Sequence, residues 1–317
     1  MQNRLPSSRT LLRLLAVGAL AALATTSLSS SGAVLTASAT ASGTFDTRTA
    51  CSAGTGYPAA VEALGPTFYY QFGEAAGATT VADSSGNGND GIVRQSSPVP
   101  AAAPPVTFGA AGSGLVWCDT TDGMTSASTP GGTGSGSFVV WLTARPNLNT
   151  FTEMAWVRTT STTGGRVIGM SSSTWAQDVH CDRQLVIDNA GHARFEIYPG
   201  FRYTLTSSMA VNDGNPHFLV ATLGPGGAAL YVDGVRDQYD PAQTTAETYT
   251  GNETVSSTGT GPATPNGQGY WRVGWDNING WGATDYGLAG VVDEAALFEG
   301  TQLSAAQVGA LWRANHW

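Results

Sequence analysis

The stretch Phe218–Val235, FLVATLGPGGAALYVDGV, decides the fold class. Its first six residues are aromatic, β-branched or small and apolar, the composition of an extended segment. Gly224-Pro225-Gly226-Gly227 cannot prolong that segment, because glycine and proline supply turn dihedrals and proline has no amide for the ladder. Ala228–Val232 resumes the extended pattern, and Asp233-Gly234 is a strong two-residue hairpin signal. Along the first strand, Phe218 and Val220 point one way, and Leu219, Ala221 and Leu223 the other. Both faces are apolar and both need cover, as on an inner strand of a two-layer sandwich.

Other segments repeat this signal. TFYYQF (67–72), FTEMAWVR (151–158), 166–170 and 270–274 each predict a strand, as does the last apolar run, 288–298. Residues 185–187 and 193–198 flank the turn DNAG (188–191) and predict a hairpin. The single helix expected is terminal. Ser304 and Gln307 form a capping box, Leu303 and Val308 a staple, and Val308, Leu311 and Trp312 an apolar stripe. Short strands without intervening helices predict an all-β, two-sheet antiparallel jelly-roll sandwich with a short C-terminal helix.

Composition narrows the chemistry. The chain has 317 residues, 41 of them glycine, and only 12% are charged, which suits a turn-rich β domain. Every one of its 14 basic residues is Arg, so Lys-dependent chemistry is excluded. Residues 1–41 carry Arg4, Arg9 and Arg13, an apolar run over 11–28 and A-x-A sites at 37–41, the pattern of a secretory signal. Its removal leaves 11 Arg against 23 acids, a formal charge of −12. Such a body repels phosphate backbones, so nucleic acid is not an expected partner. No later apolar run is long enough to span a bilayer, so a secreted protein free of the membrane after cleavage is expected. A polar arm over 42–59 then precedes one domain over 60–317.

Nucleophile motifs are missing: there is no G-x-S-x-G, and His180, His192, His217 and His316 form no H-E-x-x-H. A carboxylate pair on one strand face stands two or four positions apart; no two acids here are two apart, and of the pairs four apart, Asp178/Asp182 and Asp233/Asp237, the second straddles a hairpin turn. The Arg194-Phe-Glu196-Ile-Tyr198 alternation reads as a solvent-facing strand. Asn252-Glu253-Thr254 is a glycosylation sequon by pattern only. Three cysteines in a secreted chain imply one disulfide and one leftover thiol, with three possible pairings. Cys51–Cys118 is favoured because the N-terminal arm lacks other tethers, leaving Cys181 free. Its loop of about 70 residues would stabilise by about 4 kcal/mol.

Two further clusters are candidate sites. In DSSGNGNDG (83–91), oxygen-bearing side chains fall at Asp83, Ser85, Asn87 and Asn89 with Gly88 sixth, which resembles half of a Ca²⁺ loop. The twelfth place is Arg94, so this is not an EF-hand. Late aromatics cluster with amides and an acid. Trp275, Asp276, Asn277 and Trp281 compose a candidate carbohydrate site, because sugars stack on exposed rings and exchange hydrogen bonds with such neighbours.

The order FYYQFGEAAG, VADSSGNGNDGIV, FTEMAWVR, NDGNPHFLVATLGPGGAALYVDGV and GLAGVVDEAALFEGTQLSAAQVGALW resembles laminin-G-like, concanavalin A-like jelly-roll domains of the lectin/glucanase superfamily. DRQLVIDNAGHARFEIYPG and YWRVGWDNINGW resemble the versions in secreted actinobacterial-type proteins. The resemblance spans about residues 60–315 and departs at Pro216-His217, where the family has Trp-His. It implies facing antiparallel sheets and a non-enzymatic module for extracellular or cell-envelope glycan. It also implies a place for Asp293 beside the 83–91 loop as a Ca²⁺ ligand. Other readings are an adhesive surface protein with protein partners and a glycan hydrolase or lyase.

Overall fold

The computed structural model describes residues 56–95, 106–109, 115, 123–126, 136–175, 182–198, 201–246, 268–278 and 280–316. Two antiparallel sheets face each other. In the first, neighbours run β15 (Val235–Asp240), β14 (Ala228–Val232), β13 (His217–Leu223), β8 (Phe151–Thr159), β17 (Gly290–Glu299), β5 (Met124–Thr125) and β4 (Thr107–Phe108). β1 (Phe68–Tyr70) also pairs with β17. In the second they run β12 (Tyr203–Ala210), β11 (His192–Ile197), β10 (Asp182–Ile187), β9 (Gly165–Ser171), β16 (Gln268–Gly274), β6 (Ser137–Trp141), β3 (Gly91–Gln95) and β2 (Thr80–Val81). β7 (Arg145–Pro146) adds to β16.

β13 sits between β14 and β8, as its two apolar faces require. Leu219, Ala221 and Leu223 enter the core between the sheets, with Ala155 and Val157 of β8 and Leu185 and Ile187 of β10. Phe218 and Val220 face outward into a second apolar cluster with Met154 and Trp156. Asp233 (φ 52°) and Gly234 (φ 76°) both take positive φ, the geometry that lets a two-residue turn follow strand twist.

Two helices cover this outer face. α2 (Ala305–His316) brings Val308 and Leu311 into the cluster, and its Trp312 stacks on Trp156 with centroids 5.2 Å apart. The Ser304 amide donates to Gln307 Oε1 (2.9 Å) and the Gln307 amide to Ser304 Oγ (3.3 Å), so the capping box forms as expected. α1 (Tyr57–Glu62) corrects the expectation of a single helix. Pro58 in its first turn fits helix initiation, and Tyr57 meets Trp156 and Phe218 edge-on at 5.9 and 5.8 Å. This helix begins inside the stretch read as a polar arm, because one aromatic at its start is enough to dock it. No helix among the described residues is long and apolar enough to cross a membrane. Residues 1–41, Cys51, Cys118 and Cys181 lie outside the described residues, and with them the signal and the disulfide pairing.

Candidate functional site

The outer face of the second sheet carries the unusual chemistry. Strand alternation puts Leu185 and Phe195 into the core, so their neighbours Gln184 and Glu196 share the outer face and stand directly opposite each other. Arg194 lies opposite Val186 on the same face. Arg272 of β16 pairs with Gly169 and packs its guanidinium over Phe138, 4.2 Å from the ring centroid. Gly169 is needed here: a Cβ at this position would stand 2.9 Å from the Arg166 guanidinium, which reaches across it to the Met170 carbonyl.

Asp276 follows β16 and is fully buried. Its Oδ2 accepts from Arg166 Nη1 at 2.6 Å and lies 3.1 Å from Arg272 Nη1, while Oδ1 takes the Asn277 amide at 2.7 Å. Two buried guanidiniums therefore share one carboxylate oxygen, and this clamp fixes where the 275–286 segment leaves the sheet. Arg194 Nη1 donates to the Trp281 carbonyl at 2.8 Å, and Arg202 donates to the Gly280 carbonyl and covers the Trp281 ring at 4.2 Å. Asn189 and Thr284 exchange two hydrogen bonds that tie down the same strap.

On the same face two polar side chains are left over. Gln184 is 0% exposed, and neither its Oε1 nor its Nε2 has a hydrogen-bond partner. Glu196 is also 0% exposed; Arg194 Nε lies 3.0 Å from its Oε1, yet neither carboxyl oxygen accepts a hydrogen bond. Burial pushes its carboxyl up to about 8, and the nearby Arg194 and Arg202 offset only part of that. The alternation around it predicts a solvent-facing Glu196; in the structure it is fully buried beside Arg194. Buried polar groups without partners are rare in proteins and mark places where water or a ligand completes the network.

The four residues expected to meet a sugar, Trp275, Asp276, Asn277 and Trp281, are brought together but not opened to solvent. Trp275 is 1% exposed and stacks on Phe138 and against Tyr286; Gly136 makes room, since a Cβ there would fall 2.0 Å from its ring. Trp281 is buried under Arg202. The expected stacking surface is therefore replaced by a wall and a clamp. The exposed aromatics nearby are others: Tyr198, next in the alternation after Arg194 and Glu196, Phe201 ahead of β12, and Trp175, on which Arg94 stacks at 3.6 Å. Arg272 donates to the Ser173 carbonyl, which holds the loop bearing Trp175 over this face.

The 83–91 loop closes on itself. Asp83 Oδ1 accepts the Tyr69 and Ser85 amides, and Oδ2 accepts Ser85 Oγ and the Asn89 amide, at 2.7–2.9 Å. Asn87 and Asn89 aim their NH₂ groups at the Pro66 and Thr67 carbonyls, presenting donors where Ca²⁺ needs oxygens. Asp293 is fully buried on β17 and takes the Leu115 amide at 2.8 Å and the Glu294 amide at 2.9 Å. No trio of His, Cys, Asp or Glu able to hold a metal occurs among the described residues. As arranged, Asp83, Asn87, Asn89 and Asp293 bond to the backbone amides and carbonyls around them. The oxygen spacing serves an Asx-type staple between the loop and the start of β1.

No curated protein matches the chain. Among solved structures it is similar to domain 4 of AbnA, an extracellular arabinanase from Geobacillus stearothermophilus solved with arabinotriose. Identity there is 15%, coverage 78% of this chain and 97% of that one, and the TM-score 0.44. It is also similar to the Trypanosoma rangeli sialidase in complex with 2,3-difluorosialic acid, at 13% identity and TM-score 0.45. That likeness covers 78% of this chain and 32% of the sialidase. The botulinum neurotoxin type G receptor binding domain matches at 11% identity and TM-score 0.44, over 78% of this chain and 51% of that one. Over residues 131–255, which span strands of both sheets, the chain matches the family described as the concanavalin A-like lectin/glucanases superfamily.

Proposed function

We propose that the protein is a secreted, lectin-like module that binds extracellular or cell-envelope carbohydrate, without catalysis, through the outer face of its second sheet. The observation that carries this reading is the pair Gln184 and Glu196, fully buried, side by side, and without hydrogen-bond partners. An amide and a protonated carboxyl each offer donors and acceptors together, which is what vicinal hydroxyls need. Tyr198 and Phe201 at the rim supply apolar faces for sugar rings. Affinity electrophoresis across a polysaccharide panel tests it: at least one glycan retards the protein, and Tyr198→Ala and Phe201→Ala reduce the retardation. Unchanged migration of the parent protein in every glycan ends the proposal.

A second reading rests on Glu196 itself. A buried carboxyl held protonated near neutral pH is suited to general-acid work on a glycosidic bond. Hydrolysis also needs a second carboxylate; among the described acids of this region, Asp276 is taken up by Arg166 and Arg272, and Asp188 by the Ala190 and His192 amides. Release of reducing ends from a bound glycan, lost in Glu196→Gln, would favour this reading over simple binding.

A further inference from the structure

His217 opens β13, beside the turn that follows β14, and each of its ring nitrogens meets a carboxylate. Nδ1 lies 2.8 Å from Asp233 Oδ2, and Nε2 lies 3.1 Å from Asp213 Oδ1. A neutral imidazole has one N–H and donates to one of them; its other nitrogen would then turn a lone pair on a carboxylate oxygen. The imidazolium donates to both. The side chain is only 7% exposed, so little water is at hand to replace either partner. The bond to Asp233 holds the imidazole above its ordinary value of 6.5; burial opposes this and Asp213 adds to it. These two aspartates are the charged groups that act on the ring among the described side chains. β8, on its other side, sets Val157 opposite it, and α2 brings Arg313 back beside Gly309, close to the Gly234 carbonyl.

Both carboxylates belong to connections rather than to strands. Asp213 also accepts the Asn215 amide at 2.8 Å and Asn215 Nδ2 at 2.9 Å, which shapes the 211–216 loop. Asp233 exchanges backbone and side-chain bonds with Phe218: its amide donates to the Phe218 carbonyl at 2.8 Å, and its Oδ1 takes the Phe218 amide at 2.9 Å. Its φ of 52° is a left-handed value that a residue other than glycine keeps when its surroundings impose it. Gly234, next in the turn, lies against the root of Trp312 in α2. The ring of His217 therefore joins the loop ahead of β13 to the turn on which the C-terminal helix rests.

We infer that His217 is a pH-sensitive latch: as an imidazolium it clamps the Asp233-Gly234 turn to the 211–216 loop, and as a neutral imidazole it drops one carboxylate and holds the other without charge assistance, which loosens the seat of α2. Because the folded-state value is raised, the latch is fully engaged below about 6.5 and is lost as pH climbs through that raised value.

Hydrogen exchange of the full chain, read peptide by peptide between pH 6 and pH 9 and corrected for the intrinsic exchange rate, tests it. Protection of 211–218 and 304–316 is expected to fall about tenfold relative to the core strand 151–159, the scale of a lost bond between charged groups. Asp213→Asn, at an exposed side chain, offers the neutral ring an N–H to accept, so the fall in both peptides shrinks. His217→Gln carries no titrating group there, and its two peptides follow 151–159 at every pH. A parent protein whose peptides all change alike overturns the inference, as does an Asp213→Asn variant that keeps the full fall.

Discussion

Replacing Gly234 by Ala isolates how the C-terminal helix is held. Gly234 has φ +76°, and a Cβ built on it lies 2.5 Å from Trp312 Cβ and 2.7 Å from Cγ. These atoms are the root of the Trp312 side chain, so no rotamer change clears them and the helix itself must retreat. The positive φ alone costs an alanine about 1–2 kcal/mol. Overpacking adds about 1–3 kcal/mol. The Trp312–Trp156 stack, centroids 5.2 Å apart and 17° between planes, is the contact that yields. Gly300 is the internal control, because its φ is +73° and nothing lies within 4 Å of its Cβ. Gly300→Ala should therefore cost only the backbone part, about 1–2 kcal/mol. Gly234→Ala should exceed it by at least about 1 kcal/mol, and in a Trp312→Gly background, which removes the Cβ as well, that excess should vanish. Urea unfolding of the four variants measures all of this from midpoints and slopes. If Gly234→Ala proves no more damaging than Gly300→Ala, the tight helix–turn contact is wrong.

Glu196→Gln tests the buried carboxyl. Its folded-state value of about 8 lies above the ordinary 4.5, so the native state loses stability as pH rises from about 4.5 toward 8. Glutamine removes that loss, and the variant should gain up to about 3 kcal/mol at pH 7 and nothing at pH 4; a gain independent of pH contradicts the burial argument. In the 83–91 loop, Asp83→Ala should cost at least about 2 kcal/mol, since four donors lose their acceptor. EDTA followed by added Ca²⁺ should leave the unfolding temperature of the parent protein unchanged, and a Ca²⁺-dependent rise would restore the metal reading.

The fold was legible where strands are covered on both sides. β13 and β8 alternate or run apolar because each face meets a different layer, and both were bounded within a residue or two. Segments that depend on their position at an edge were passed over. β12 reads YTLTSSMA, polar enough to pass for a loop, and is half solvated because it ends its sheet. The site was legible only in part. The segment carrying Trp275–Trp281 was singled out by its composition, but its burial depends on Gly136 and on Arg166 and Arg272, which strand pairing brings in from elsewhere in the chain. Local spacing does not contain that information. The oxygen periodicity of the 83–91 loop is the same whether it faces a cation or the backbone amides around it, and only the position of the Tyr69 and Asn89 amides decides between them.

The two helices pack together on the outer face of the first sheet, although one starts the described domain and the other finishes it. Both attachment points thus lie behind the molecule, turned away from the arginine-lined surface. Both helices cover one apolar cluster, so loss of either would uncover the same patch, and the two should come away together.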